Sequence, residues 1–113
     1  MFYGILEIEI MNTVWSLQEK NEDGNISVAD IVTALNSNGI QRAYTTIKTV
    51  MDRLVSKDVL VRYRDNKKFF YRSTVDKAEA AKSSIDTISA QFFGGNYVQM
   101  LRFIEKECEH LLV

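Results

Sequence analysis

Proline is absent from this chain of 113 residues, histidine and tryptophan occur once each, and Cys108 is the single cysteine. Each shortage excludes something. Without proline, no helix is broken by loss of a backbone donor, so breaks must fall at glycine, asparagine and changes of pattern. Gly24, Gly39 and the pair Gly94-Gly95 stand where such breaks are expected. One cysteine cannot form an intrachain disulfide and gives no sign of an oxidising compartment. No apolar run approaches the roughly 18 residues a membrane span needs, and the start of the chain lacks the pattern of an export signal. A cytoplasmic location without membrane contact is expected. Hydrolytic chemistry is poorly provided for: the lone histidine is His110, and there is neither a phosphate-cradling glycine motif nor an inward-facing carboxylate pair. No enzyme and no cofactor are expected. Cys108 and His110 would point about 200° apart on one helix and so could not share an ion, and no metal site is expected.

The length suits one compact domain with a short appendage. Net charge is −1 and the sequence pI about 5.8, which hides a strong polarity. Between Arg42 and Lys82 lie 11 of the 14 basic residues against five acids, which leaves +6 there and −7 elsewhere. A chain so divided can present a cationic face while remaining mildly acidic. Charge alone leaves a solvated mixed surface equally open.

Hydrophobic periodicity predicts three helices in the first half. The first runs from about Leu6 to Lys20 with Ile10, Met11, Val14, Trp15 and Leu17 inward, and with Glu7 and Glu9 outside that stripe near the positive end of the helix dipole. Ser27 and Asp30 resemble a capping box opening a second helix, whose inward face is Val28, Ile31, Val32 and Leu35 and whose end is Asn36-Ser37-Asn38-Gly39. The third runs from about Tyr44 to Lys57, burying Ile47, Val50, Met51, Leu54 and Val55 and leaving Thr45, Thr46, Lys48, Thr49, Asp52 and Arg53 towards solvent. β-Branched threonines lower helix propensity for no packing gain on such a face. Interleaved with long cations they suit phosphates, base edges and thymine methyls, although a merely polar face is the plainer alternative.

The period then changes to that of strands. Residues 59–64 and 68–72 are rich in β-formers and flank Asp65-Asn66-Lys67, a turn by composition. Val61 and Phe70 are candidates for the hairpin face that must lie on the helices, because a hairpin alone is unstable in water. Three helices followed by a basic hairpin is the order of a winged helix-turn-helix, in which the third helix enters the major groove of DNA. The final third is helical again, with two heptad-like stripes: Ala78, Ala81, Ile85, Ile88 and Phe92, then Tyr97, Leu101, Ile104, Cys108 and Leu111. Self-association would bury them, with Cys108 as a small apolar member of the seam. Folding back on the same chain is the alternative.

The run 44–57 resembles the recognition-helix block of the penicillinase and methicillin-resistance repressor family, BlaI/MecI/CopY-like. The likeness extends to Glu9–Trp15 in the first helix, Ile26–Ile31 at the second, Arg64–Tyr71 in the wing and Phe92–Gly95 before the last helix. It implies a homodimeric transcriptional repressor on a palindromic operator of double-stranded DNA. By that resemblance Thr45, Thr46, Lys48, Thr49 and Arg53 take the recognition positions, with Lys67 and Lys68 in the wing. Arg42, the cation just before this helix, joins them as a candidate DNA contact.

Three departures from the family stand out. Asp58 follows Lys57 where the family commonly has glycine. Arg102-Phe103 stands where antibiotic-responsive members are cut at Asn-Phe by a sensor-linked protease, and Cys108 is alone where the copper-responsive branch has paired Cys-x-Cys motifs. The inducing signal, by protease or otherwise, is therefore left open.

The expected architecture is mainly α with a small β-hairpin wing: a winged helix-turn-helix over 1–74 and C-terminal dimerisation helices over 75–113. The functional alternative is a winged-helix interaction module that docks an acidic protein partner without reading DNA sequence.

Overall fold

The computed structural model describes residues 3–111. Five α-helices and one antiparallel hairpin follow in the order α1 (Ile5–Lys20), α2 (Val28–Ser37), α3 (Tyr44–Ser56), β1 (Leu60–Asp65), β2 (Lys68–Ser73), α4 (Lys77–Phe93) and α5 (Tyr97–Glu107), with a 3₁₀ turn at Glu109–Leu111. Two compact units result, one over Tyr3–Lys77 and one from Ala78 onward. The class is mainly α with a β-hairpin wing, as the periodicities require.

In the first unit the three helices bury Ile10, Met11, Val14, Ile31, Leu35, Ile47, Met51 and Leu54, all essentially inaccessible. Ser27 caps α2 as its spacing predicts: its Oγ accepts from the Asp30 N–H at 3.1 Å, and its own N–H donates to Asp30 Oδ2 at 2.9 Å. α2 and α3 end in the same way. Beyond α2, the Gly39 N–H donates to Asn36 O and the Ile40 N–H to Leu35 O; beyond α3, the Asp58 N–H donates to Val55 O and the Val59 N–H to Leu54 O. This pair of hydrogen bonds requires a left-handed residue after the helix cap, and it is Gly39 in one case and Asp58, at φ 63°, in the other. Aspartate tolerates that region better than most side chains, which explains how the turn survives without the family's glycine.

Two inferences from periodicity need correction. Glu7 is not an outward residue of α1 but is 6% exposed. It accepts the Gly4 N–H at 2.9 Å and the Lys57 ammonium at 2.8 Å, which joins the start of α1 to the end of α3. Nor do Val61 and Phe70 form the hairpin's deeply buried face. The register pairs Leu60 with Ser73, Arg62 with Tyr71 and Tyr63 with Phe70, so Leu60 and Tyr71 share one face while Val61, Tyr63 and Phe70 share the other. Leu60 and Tyr71 are buried at 2% and 1% exposure, and Val61 and Phe70 are only half-buried. Ile26 also proves to lie before α2: its carbonyl accepts from the Tyr71 N–H at 2.8 Å, a one-residue bridge against β2. The Trp15 indole N–H donates to Val75 O at 3.0 Å, which fastens the chain leaving β2 against α1.

In the second unit, Gly94 and Gly95 both adopt positive φ and separate α4 from α5. The Asn96 side chain then caps α5 by accepting from the Gln99 N–H at 3.0 Å. Phe93 and Phe103 pack with ring centroids 5.4 Å apart, and the Tyr97 hydroxyl donates to Asp86. The second stripe is shorter than its spacing implied, because α5 stops at Glu107. Cys108 is the cap residue and Leu111 falls on the 3₁₀ turn, so only Tyr97, Leu101 and Ile104 of that stripe share one α-helical face.

Burial raises the Glu7 carboxyl, but its bonds to Lys57 and Gly4 and the Lys57 and Arg53 charges outweigh it, and it titrates below the ordinary carboxylate value. The stability it contributes is complete above the unfolded-state value and is lost as pH falls through the lower folded one. Lys57→Ala leaves this carboxylate buried without its ammonium and should cost about 1–3 kcal/mol near neutral pH, the penalty of an under-paired buried charge. That deficit should shrink near pH 4, below the ordinary carboxylate value, because the parent loses the stability of its charged pair as pH falls. Urea denaturation of both proteins at the two pH values tests this, and an equal loss at both would reduce Lys57 to a packing role.

Candidate nucleic-acid interface

With one side of α3 occupied by Ile47, Val50, Met51 and Leu54, the remaining arc is set by geometry. At about 100° per residue, Thr45, Thr49 and Ser56 lie near its middle, Thr46 and Arg53 along one edge, and Lys48 and Asp52 along the other. Thr45, Thr46, Lys48, Thr49 and Arg53 are all exposed, as is Arg42 in the segment before α3. Thr49 turns its hydroxyl back to donate to Thr45 O at 2.8 Å. The Arg42 guanidinium donates to the neighbouring Gln41 O at 2.9 Å.

The hairpin stands beside the Lys48 edge. Its loop is two residues long, since Asp65 pairs with Lys68, and both Asn66 (φ 51°) and Lys67 (φ 67°) are left-handed. That is a type I′ turn, whose backbone twist matches the flanking strands and whose second position ordinarily takes glycine. Lys67 and Lys68 are exposed at this tip. On the helix-facing side of the hairpin, the Arg62 and Arg64 guanidinium groups lie 5.0 and 5.1 Å from the centre of the exposed Phe69 ring. Each gains from the ring's negative face. A cleft of about 320 Å³ separates hairpin and helices, with Ser27, Tyr44, Lys48, Arg62, Lys68 and Phe69 among its lining residues.

The acid of α3 sits in this cationic surround. Asp52 receives the Lys48 ammonium at 2.7 Å, the Tyr71 hydroxyl at 2.9 Å and the Arg62 guanidinium at 3.4 Å. Burial raises its carboxyl, yet the bonds from Lys48 and Tyr71 and the charges of Lys48 and Arg62 bring it below the ordinary value. Lys48 is correspondingly raised by Asp52, and Tyr71 by burial and then by Asp52. Sequence reasoning placed Asp52 on the solvent side of α3 without giving it a role, whereas it is half-buried, and it did not single out Arg62, Arg64, Tyr44 or Phe69 for this surface. The i,i+4 spacing of Lys48 and Asp52 was visible, but the approach of Arg62 and Tyr71 depends on how the hairpin docks. Among the described residues, no group of His, Cys, Asp and Glu is placed to hold a metal ion.

An exposed hydroxyl-and-cation helix face beside a cationic hairpin, on a three-helix base, defines a winged-helix DNA-binding regulator of transcription. The chain belongs to the penicillinase repressor family, whose profile it matches over residues 3–110. It is therefore a transcriptional repressor that binds operator DNA. It is 33% identical over 104 residues to the methicillin resistance regulatory protein MecI of Mammaliicoccus sciuri, and 32% identical over 104 residues to MecI of Staphylococcus aureus strain N315. In both cases 89% of this chain and 77% of the relative are covered. Among solved structures, a ferric uptake regulator from Francisella tularensis with iron superposes with a TM-score of 0.49 at 18% identity, covering 81% of this chain and 80% of that one.

Lys67 holds a backbone conformation that costs a side chain about 1 kcal/mol and glycine almost nothing. Lys67→Gly should therefore raise the melting temperature of the hairpin-bearing unit by roughly 4–8 °C per kcal/mol recovered. Thermal unfolding by circular dichroism is the measurement; an unchanged or lowered midpoint would mean that the lysine side chain offsets its own strain.

Proposed function

We propose that this repressor acts in the cytoplasm as a homodimer, placing α3 of each protomer in successive major grooves of a palindromic operator and the wing on the flanking backbone. The observation that carries the reading is the outer arc of α3, exposed along its length beside the cationic hairpin while its other side is wholly committed to the core. Thr45, Thr46, Thr49 and Arg53 are assigned to base edges and nearby phosphates, and Arg42, Lys48, Lys67 and Lys68 to the backbone. A strained lysine at the wing tip supports this assignment, because a turn selected for stability alone would use glycine there. Residues 1–74 form the DNA-binding part and 75–113 the dimerisation part in this reading.

Dimerisation is supported by apolar surface in the C-terminal unit. On α5, Tyr97, Leu101 and Ile104 are 45%, 55% and 37% exposed, and on α4 Ile85, Ile88 and Phe92 are open to solvent. Beyond the end of α5, Cys108 is half-buried and Leu111 is exposed. So many exposed apolar side chains on two successive helices are uncommon on a monomer unless they meet a partner. Arg102-Phe103 lies within α5 and is not an Asn-Phe bond, so induction by that cut is not part of the proposal.

Selection of a palindrome from a random duplex library tests sequence reading directly; binding without selection would favour docking of an acidic protein instead. On the selected operator, Thr46→Ala and Arg53→Ala should each cost roughly 1–3 kcal/mol, while replacing Lys67 and Lys68 by Ala should flatten the salt dependence by about 0.9 in log–log slope for each phosphate no longer neutralised. Fluorescence anisotropy measures both, and unchanged affinity in the first pair would remove α3 as the reader. For the dimer, Leu101→Asp should give a monomer with a folded winged unit and a loss of up to about 10²–10⁴ in operator affinity, since the second half-site is no longer held at high effective concentration. Analytical ultracentrifugation with operator titration tests this, and a variant that stays dimeric would contradict it.

A further inference from the structure

Asp52 is the only acid on α3, and it occupies the edge of the recognition face nearest the wing. Its carboxylate, 36% exposed, gathers donors from three elements: Lys48 on α3, Arg62 on β1 and Tyr71 on β2. Lys48 and Arg62 are themselves 47% and 42% exposed, so both could meet a phosphate, yet each already holds a counter-ion supplied by the protein. We infer that Asp52 is a specificity-determining positioning residue, which restrains sequence-independent binding of duplex DNA by occupying two cations of the groove-facing surface and fixing the wing against α3. The inference rests on the DNA-reading function proposed above.

A phosphate approaching Lys48 or Arg62 must displace a carboxylate already bound there. Free cations release condensed counterions when they meet the DNA backbone, and that release supplies nearly all non-specific affinity. Lys48 and Arg62 offer less of it, because a phosphate has to compete with a carboxylate at 2.7 and 3.4 Å and is itself repelled by it. Contacts from Thr45, Thr46, Thr49 and Arg53 to base edges are made on the other parts of the arc and do not suffer this competition. The carboxylate thus weakens every duplex through the backbone term, while an operator retains its base contacts. The ratio between operator and random sequence rises as a result.

Asp52→Asn is nearly isosteric and keeps an oxygen to accept from the Tyr71 hydroxyl, but it frees both cations. Binding of the full chain is measured by anisotropy over a salt series, on the palindrome selected by the parent and on a scrambled duplex of equal length. The scrambled duplex should be bound about three- to tenfold more tightly near 0.1 M salt, with its log–log salt slope steeper by about 0.9–1.8, and operator affinity should change less, so that discrimination falls. Asp52→Ser carries the same expectation should the Asn variant fold poorly by circular dichroism, and Asp52→Glu, which keeps the charge, should discriminate nearly as well as the parent. A purely structural role would weaken both duplexes and leave the slope unchanged. That result, or undiminished discrimination in the uncharged variants, overturns the inference. A parent that selects no palindrome and binds all duplexes alike overturns the DNA-reading function itself, which is a separate outcome.

Discussion

Tyr71 ties three segments of the first unit together. Its backbone N–H bonds to Ile26 O just ahead of α2, its ring is 1% exposed, and its hydroxyl ends on Asp52 in α3. A two-stranded hairpin has too little apolar face to be stable alone, so its position must come from such anchoring. Because the anchor reaches both Ile26 and α3, the wing cannot shift without disturbing the helix that carries the recognition residues. A buried hydroxyl is costly unless bonded, and the Asp52 carboxylate satisfies it, so packing and electrostatics select the same arrangement.

The remaining framework joins ends to ends. Glu7 and Lys57 connect the first turn of α1 with the residue that caps α3, and Trp15 holds the chain that leaves β2. Both links leave the outer arc of α3 untouched. The two places where non-glycine residues occupy left-handed backbone are also informative together. Asp58 serves a helix end in which the buried Val59 donates to Leu54 O, a structural role, whereas Asn66 and Lys67 serve an exposed tip. Strain at an exposed cation is harder to explain by packing than strain beneath a buried valine.

Several features were legible because their physics is local. Helical stripes appear wherever apolar residues recur at i, i+3 and i+4, and Ser27 with Asp30 announces a cap within four residues. The exposed threonines and cations of α3 followed from the same periodicity, since the stripe that buries Ile47, Val50, Met51 and Leu54 defines its complement. The likeness of the run 44–57 to a repressor family needed only order and spacing. Where periodicity failed, a partner distant in sequence was responsible. Glu7 reads as an exposed acid until Lys57, fifty residues away, arrives beside it.

What the sequence determined by itself was therefore the succession of helices, the hairpin, the polarised charge and the family. Tertiary structure alone decided which face of the hairpin is buried. Alternation shows that two faces exist, but both carry aromatic residues, and only docking on α3 and Ile26 selects the one with Leu60 and Tyr71. It also decided that α5 ends at Glu107 and leaves Leu111 on a 3₁₀ turn, a boundary that no proline or glycine marks. Most of all, it decided that Asp52 gathers Lys48, Arg62 and Tyr71. An ion pair across elements depends on distances of a few ångströms between chain segments, and residue order carries no direct record of those distances.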